Sequence, residues 1–144
     1  MQLNLRTDYA LRTLMALAAT DETISIDWIA ERYAISRNHL AKVAQDLAAA
    51  GFVETQRGRG GGLRLARPAE QINVGDVVRR LEHFEGFVAC MGGKAECAID
   101  GSCGLKPALS GALEAFLGHL EGYTLADITG SPAKLLRQLA SHAN

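Results

Sequence analysis

The sequence has no apolar run approaching the roughly 20 residues that a membrane span needs. Its N-terminus also lacks the zones of a secretory signal. Both absences point to a cytoplasmic protein with no membrane partner. No Ser-His-Asp order, phosphate-binding loop or paired-carboxylate motif stands out, which argues against an enzyme. Charge of one sign is not in excess: 15 Lys/Arg against 16 Asp/Glu leave a net −1. The overall balance therefore gives no sign of a nucleic-acid partner. Repeats and low-complexity tracts are missing, apart from the short run Gly60, Gly61, Gly62. Cysteine is scarce, with three in 144 residues, all between Cys90 and Cys103. An odd cluster is a poor disulfide framework and a better metal or redox site.

What is present suits a folded chain. The apolar fraction is 48% and the charged fraction 22%, ordinary values for one compact domain or two small lobes. Charge is unevenly spread, with nine Lys/Arg against seven Asp/Glu up to Arg67 and six against nine from Pro68 onward. A mildly basic front and an acidic back suit different partners.

The spacing predicts a first helix from Leu5 to Ala19, with Leu11, Leu14, Met15 and Ala18 as its buried stripe. Ser25 is a candidate N-cap for a short helix through Trp28, Ile29 and Tyr33. Ala34, Ile35 and Ser36 lead into a third helix, Arg37 to Ala50, which Gly51 ends. Leu40, Val43, Ala44 and Leu47 form its buried stripe. Strand patterns at Phe52–Thr55 and Leu63–Ala66 flank a Gly-rich turn and predict a β-hairpin. Helix, short helix, turn, helix and hairpin make a winged helix-turn-helix. The fold class is thus mainly α with a small β-hairpin.

Pro68 marks the exit from that module, so residues 1–67 are read as the DNA-binding domain. Residues 68–130 are read as a cysteine loop with a long dimerisation helix, and 131–144 as a loosely held helical tail. Val74 to Leu81 fits a fourth helix. Leu109, Leu113, Phe116, Leu117 and Leu120 trace a stripe too apolar to leave in water, which predicts a homodimer through that helix. A last turn of helix is expected within Tyr123–Ile128.

Two groups of residues carry chemistry. Ser36, Arg37, Asn38, His39, Lys42 and Gln45 offer donors and acceptors from one exposed side of a helix that fits the major groove. Arg57, Arg59 and Arg64 sit on or beside the hairpin, where arginine suits phosphate or minor-groove contact. The partner implied is double-stranded DNA. The second group is Cys90, Cys97 and Cys103, a C-x6-C-x5-C arrangement on a loop with Gly86, Gly92, Gly93 and Gly101. Soft thiolates select zinc or iron–sulfur clusters over hard cations. The short pairs preferred by structural zinc are lacking, so iron–sulfur leads over a zinc-stabilised protein. Three cysteines leave one position of a cubane unfilled. His83, Glu85, Glu96, Asp100 and the more distant Asp8 are all candidates, and spacing does not choose among them.

The chain resembles the nitric-oxide-sensing NsrR-type repressors of the Rrf family of winged-helix regulators. The resemblance is carried by Met1-Gln2-Leu3, Thr7-Asp8-Tyr9-Ala10-Leu11-Arg12, Ser36-Arg37-Asn38-His39-Leu40 and Arg57 through Leu65. It continues in Gly75-Asp76-Val77-Val78-Arg79, the three cysteines and Tyr123-Thr124-Leu125-Ala126-Asp127. It implies a homodimeric repressor that loses operator affinity when nitric oxide reaches its cluster. It also implies a 4Fe-4S cluster on Cys90, Cys97 and Cys103, with Asp8 of the partner subunit as fourth ligand. The related cluster-biogenesis regulators use a histidine just after the third cysteine. Here Gly104, Leu105, Lys106 and Pro107 follow Cys103, so that assignment fails. The six-residue gap between the first two cysteines leaves open a 2Fe-2S cluster, or a regulator sensing iron–sulfur status or thiol stress.

Overall fold

The computed structural model describes residues 2–92 and 97–142. Helix α1 (Leu5–Ala18) begins where the Asn4 side chain accepts the Arg6 amide, and α2 (Ile26–Tyr33) where Ser25 accepts the Trp28 amide. Ala34 then takes a left-handed φ of 52°, which turns the chain so that Ser36 can cap α3 (Arg37–Ala49) through the His39 amide. Such side-chain acceptors satisfy amides that have no intrahelical partner.

Strands β1 (Val53–Gln56) and β2 (Gly62–Leu65) pair antiparallel, with Val53 opposite Leu65 and Gln56 opposite Gly62. Relative to the sequence pattern the hairpin draws in by one residue at its base. Phe52 is fully buried and its carbonyl accepts the Ala66 amide, so both residues close the hairpin from outside the strands. At the tip, Gly58 and Gly60 take φ of 98° and 72°, conformations that glycine adopts without a Cβ penalty. A Cβ on Gly62 would overlap the Ile24 carbonyl. Its absence lets Ile24 exchange two backbone hydrogen bonds with Leu63, at 2.9 and 2.7 Å, which binds the wing to the α1–α2 turn.

The main core gathers Leu14, Leu17, Ile29, Leu40, Val43, Leu47, Phe52, Leu63, Ile72 and Val77. The periodic stripe foreseen on α1 is only partly the buried one. Leu14 is central, but Thr7, Ala10, Thr13, Ala16 and Leu17 are buried with it, whereas Leu11, Met15 and Ala18 are half-buried. The reason is that α1 packs against α3, the wing and the later helices on several sides at once.

Helix α4 (Val74–Leu81) is capped by Asn73, whose amide group also donates to the Glu121 carbonyl at 2.6 Å. Helix α5 (Leu105–Glu121) runs against α4, fastened by Arg79 to Glu114 at 2.9 Å and Glu121 at 2.6 Å. Leu113 and Leu117 are buried with Val78, and Phe116 and Leu120 pack against the same cluster. This corrects the reading of the stripe: most of it serves the chain's own core. The other side of α5, bearing Ala108, Gly111, Ala112, Ala115 and Gly118, is exposed.

Helix α6 (Leu125–Thr129) starts with a capping box between Thr124 and Asp127 and buries Leu125 in the main core. The loosely held tail foreseen from Ser131 is instead a docked helix, α7 (Pro132–Ser141). It seats Leu139, 6% exposed, and half-buried Leu135 against the main core, packing on α1 and α2.

Candidate nucleic-acid interface and cysteine loop

The first turn of α3 lies open to solvent. Arg37, Asn38, His39, Lys42 and Gln45 are all exposed, while Leu40, Val43, Ala44 and Leu47 are buried beneath them. Ser36, counted with them from the sequence, uses its hydroxyl to cap the helix at 3.1 Å. Arg37 is not free: its Nε donates to Asp27 Oδ1 of α2 at 2.5 Å. Beside this face runs an open groove of about 320 Å3 between α3 and the start of α1, lined among others by Leu5, Tyr9, His39 and Lys42. Arg6 and Asp46 bridge it as an ion pair.

The three wing arginines differ. Arg57 and Arg59 are exposed at the glycine-rich tip, and neither has an ion pair or side-chain hydrogen bond among the described residues. Arg64 donates both Nε (3.0 Å) and Nη2 (2.7 Å) to Glu54, its cross-strand partner in the hairpin.

The cysteine loop joins α4 to α5. Its front is anchored by Phe84 and Met91, which pack on the α4–α5 cluster. Cys90 lies half-buried in a single 3-10 turn (Ala89–Met91), Cys97 is exposed, and half-buried Cys103 sits just before α5. None of the three forms a disulfide. Among the described residues, no three His, Cys, Asp or Glu side chains gather closely enough to hold a metal. The loop thus carries a soft donor set on one connection without drawing the sulfurs together by itself.

The fourth-ligand candidates are dispersed. Asp100 pairs with Lys106 at 3.6 Å. His83 and Glu85 are exposed, and Glu96 lies outside the described residues. Asp8 sits in the first turn of α1, held one turn on by Arg12 at 3.0 Å.

One connection links the head of this loop to the start of α1. Glu82, the residue that ends α4, accepts the Asn4 amide at 2.6 Å. The family model described as iron-dependent transcriptional regulator matches residues 3–131. The chain belongs to the Rrf2 family.

Two curated Rrf2-type relatives are named HTH-type transcriptional regulator NsrR. The Bacillus licheniformis protein is 47% identical over 131 residues, covering 89% of this chain and 92% of its own length. The Bacillus subtilis protein is 46% identical over 142 residues, covering 96% and 97%. Among solved structures, T. potens IscR superposes with a TM-score of 0.69 at 27% identity, covering 89% of this chain and 85% of that one. The protein is therefore a winged-helix transcriptional regulator that binds DNA, and not an enzyme. Sequence pattern missed three residues of this Rrf2 chain, Asp27, Glu82 and Asp46. Each is an unremarkable surface carboxylate until the fold sets it against Arg37, the Asn4 amide or Arg6.

Proposed function

We propose that this Rrf2 regulator is a homodimeric repressor that releases its operator when nitric oxide reaches an iron–sulfur cluster held in the cysteine loop. The observation that carries the proposal is the set of three cysteines, none in a disulfide, on one connection in a chain 46–47% identical to regulators named NsrR. Cys90, Cys97 and Cys103 would hold the cluster, 4Fe-4S with 2Fe-2S as the alternative, and Asp8 of the partner subunit would complete it. Their donor chemistry fits: thiolates are soft ligands suited to cluster iron, and a carboxylate is a harder and weaker one. A bound cluster supplies an iron that nitric oxide can attack at its weakest ligand.

The chain's own residues would turn that event into a change at DNA. Arg12 holds Asp8 in this structure, so a carboxylate given up by the cluster has a cation waiting one helical turn away. The same helix begins at Asn4, whose amide is held by Glu82 at the head of the cysteine loop. Two residues on, Arg6 pairs with Asp46 of α3. A displacement of α1 is thereby felt by the helix that faces DNA. The switch is a shift between two helix arrangements and needs a different DNA affinity in each.

Association through α5 is supported by its exposed face. Among the described residues, nothing lies within 4 Å of where a Cβ would stand on Gly111 or Gly118. Interior helical glycine costs about 1 kcal/mol against alanine, and no described neighbour requires it, whereas a second α5 approaching closely would. On DNA, Arg37 and Asn38 would read bases, while Lys42, Arg57 and Arg59 hold phosphates.

Anaerobic purification followed by visible spectroscopy and metal analysis tests the cluster assignment. A brown protein with thiolate-to-iron charge-transfer bands, lost in Cys97→Ala, is expected. A colourless protein carrying zinc or only free thiols contradicts it and favours a zinc-stabilised or thiol-sensing regulator.

A further inference from the structure

Arginine at the first position of a recognition helix can serve as a phosphate clamp or as a base reader. The two uses need different arrangements of the guanidinium. A phosphate is met by charge in many orientations, whereas a base edge must be met by two parallel N–H groups in one plane. The Arg37 guanidinium is held by one atom only: Nε donates to Asp27 Oδ1. Neither terminal amino group of Arg37 has a hydrogen-bond partner among the described residues, and the two side chains are 66% and 68% exposed. The carboxylate thus fixes the plane of the fork from behind and leaves its two prongs open.

Arg64 shows the contrasting arrangement. Glu54 takes both its Nε and one terminal amino group, so that fork is closed. Arg57 and Arg59, on the glycine tip, have no acid to orient them among the described residues.

We infer that Asp27 is a positioning residue that presents Arg37 to a guanine in the major groove. Two prongs that only donate require two adjacent acceptors. Guanine offers O6 and N7, adenine pairs its acceptor with a donor, and thymine places a methyl beside O4. The first residue of α3 is also where helix-turn-helix proteins bring side chains to base edges. Orienting the guanidinium before contact removes rotamer freedom that would otherwise be lost on binding. The inference rests on α3 being the DNA-reading helix, and the test separates the two claims.

The probe is a library of randomised DNA duplexes, selected by the full-length protein, followed by single-position substitution of 7-deazaguanine in the selected site. Wild type should select a guanine at one position per half-site and lose about tenfold or more in affinity when that guanine lacks N7. Arg37→Ala should erase the preference at that position alone. Asp27→Asn should weaken it several-fold at the same position, without weakening binding to non-specific DNA. Glu54→Gln should leave base preference as in wild type. If Arg37→Ala keeps every base preference and lowers the salt slope, Arg37 is a phosphate contact and the inference fails while the DNA-reading helix stands. If Arg37→Ala relaxes the site but Asp27→Asn does not, Asp27 has no positioning role. A protein that selects no sequence at all overturns the assignment of α3, and this inference with it.

Discussion

At the scale of single residues, the exposed polar face of α3 was legible from spacing, because a helix that buries Leu40, Val43 and Leu47 must turn Asn38, Lys42 and Gln45 outward. The acids that engage Arg37 and the wing's Arg64 were not legible. Asp27 meets Arg37 only because the α2–α3 turn folds one helix over the other, and Glu54 meets Arg64 only through the hairpin register. These pairings set different expectations for the wing. Arg59→Ala should weaken binding to all sequences alike and flatten the dependence of log K on log salt by about one unit. Glu54→Gln, which removes a negative charge and frees Arg64, should tighten binding to random DNA and steepen that slope. Fluorescence anisotropy over a salt series reads both. At Asp8, substitution by alanine should leave a cluster on Cys90, Cys97 and Cys103 with altered visible circular dichroism and a changed rate of reaction with nitric oxide. A surface carboxylate that serves only the helix dipole and Arg12 would leave both signals untouched.

At the scale of elements, periodicity located all four helices up to Leu81, and the larger errors came after it. A stripe of leucines reports that a face is buried, not which body buries it. On α5 the body is α4 of the same chain for Leu113 and Leu117. Leu117→Ala should therefore destabilise the fold by about 2–5 kcal/mol in urea titration, the cost of an unfilled core site. Gly118→Leu, on the exposed face, should spare the fold and disrupt association, as read by light scattering. The docking of α7 was hidden for a related reason: a short amphipathic helical segment looks optional until α1 and α2 are seen to leave room for Leu135 and Leu139.

The start of α6 carries a pH dependence. The Thr124 backbone amide, and then its hydroxyl, hold the Asp127 carboxyl below its ordinary value. A carboxyl with a lowered folded-state pKa contributes stability at neutral pH, and that contribution is lost as pH falls through the folded value. Asp127→Asn should therefore be less stable than wild type near neutrality and converge with it in acid. Thermal midpoints across pH 3–7 would show parallel curves instead if the cap contributed nothing.

At the scale of the whole molecule, two ties run in series through α1. Glu82 holds the amide of Asn4, α1 carries Asp8 and Arg6, and Arg6 holds Asp46 on α3. Loop and α3 are far apart in sequence, and no local pattern announces this route, yet the proposed switch needs such a route between the cysteine loop and DNA. The most direct measurement follows visible absorption and anisotropy of a labelled, selected duplex in one anaerobic cuvette while nitric oxide is added. The account predicts that the cluster spectrum and the bound DNA are lost together, and that Cys97→Ala shows neither the spectrum nor the response. Loss of the spectrum while the DNA stays bound would contradict it.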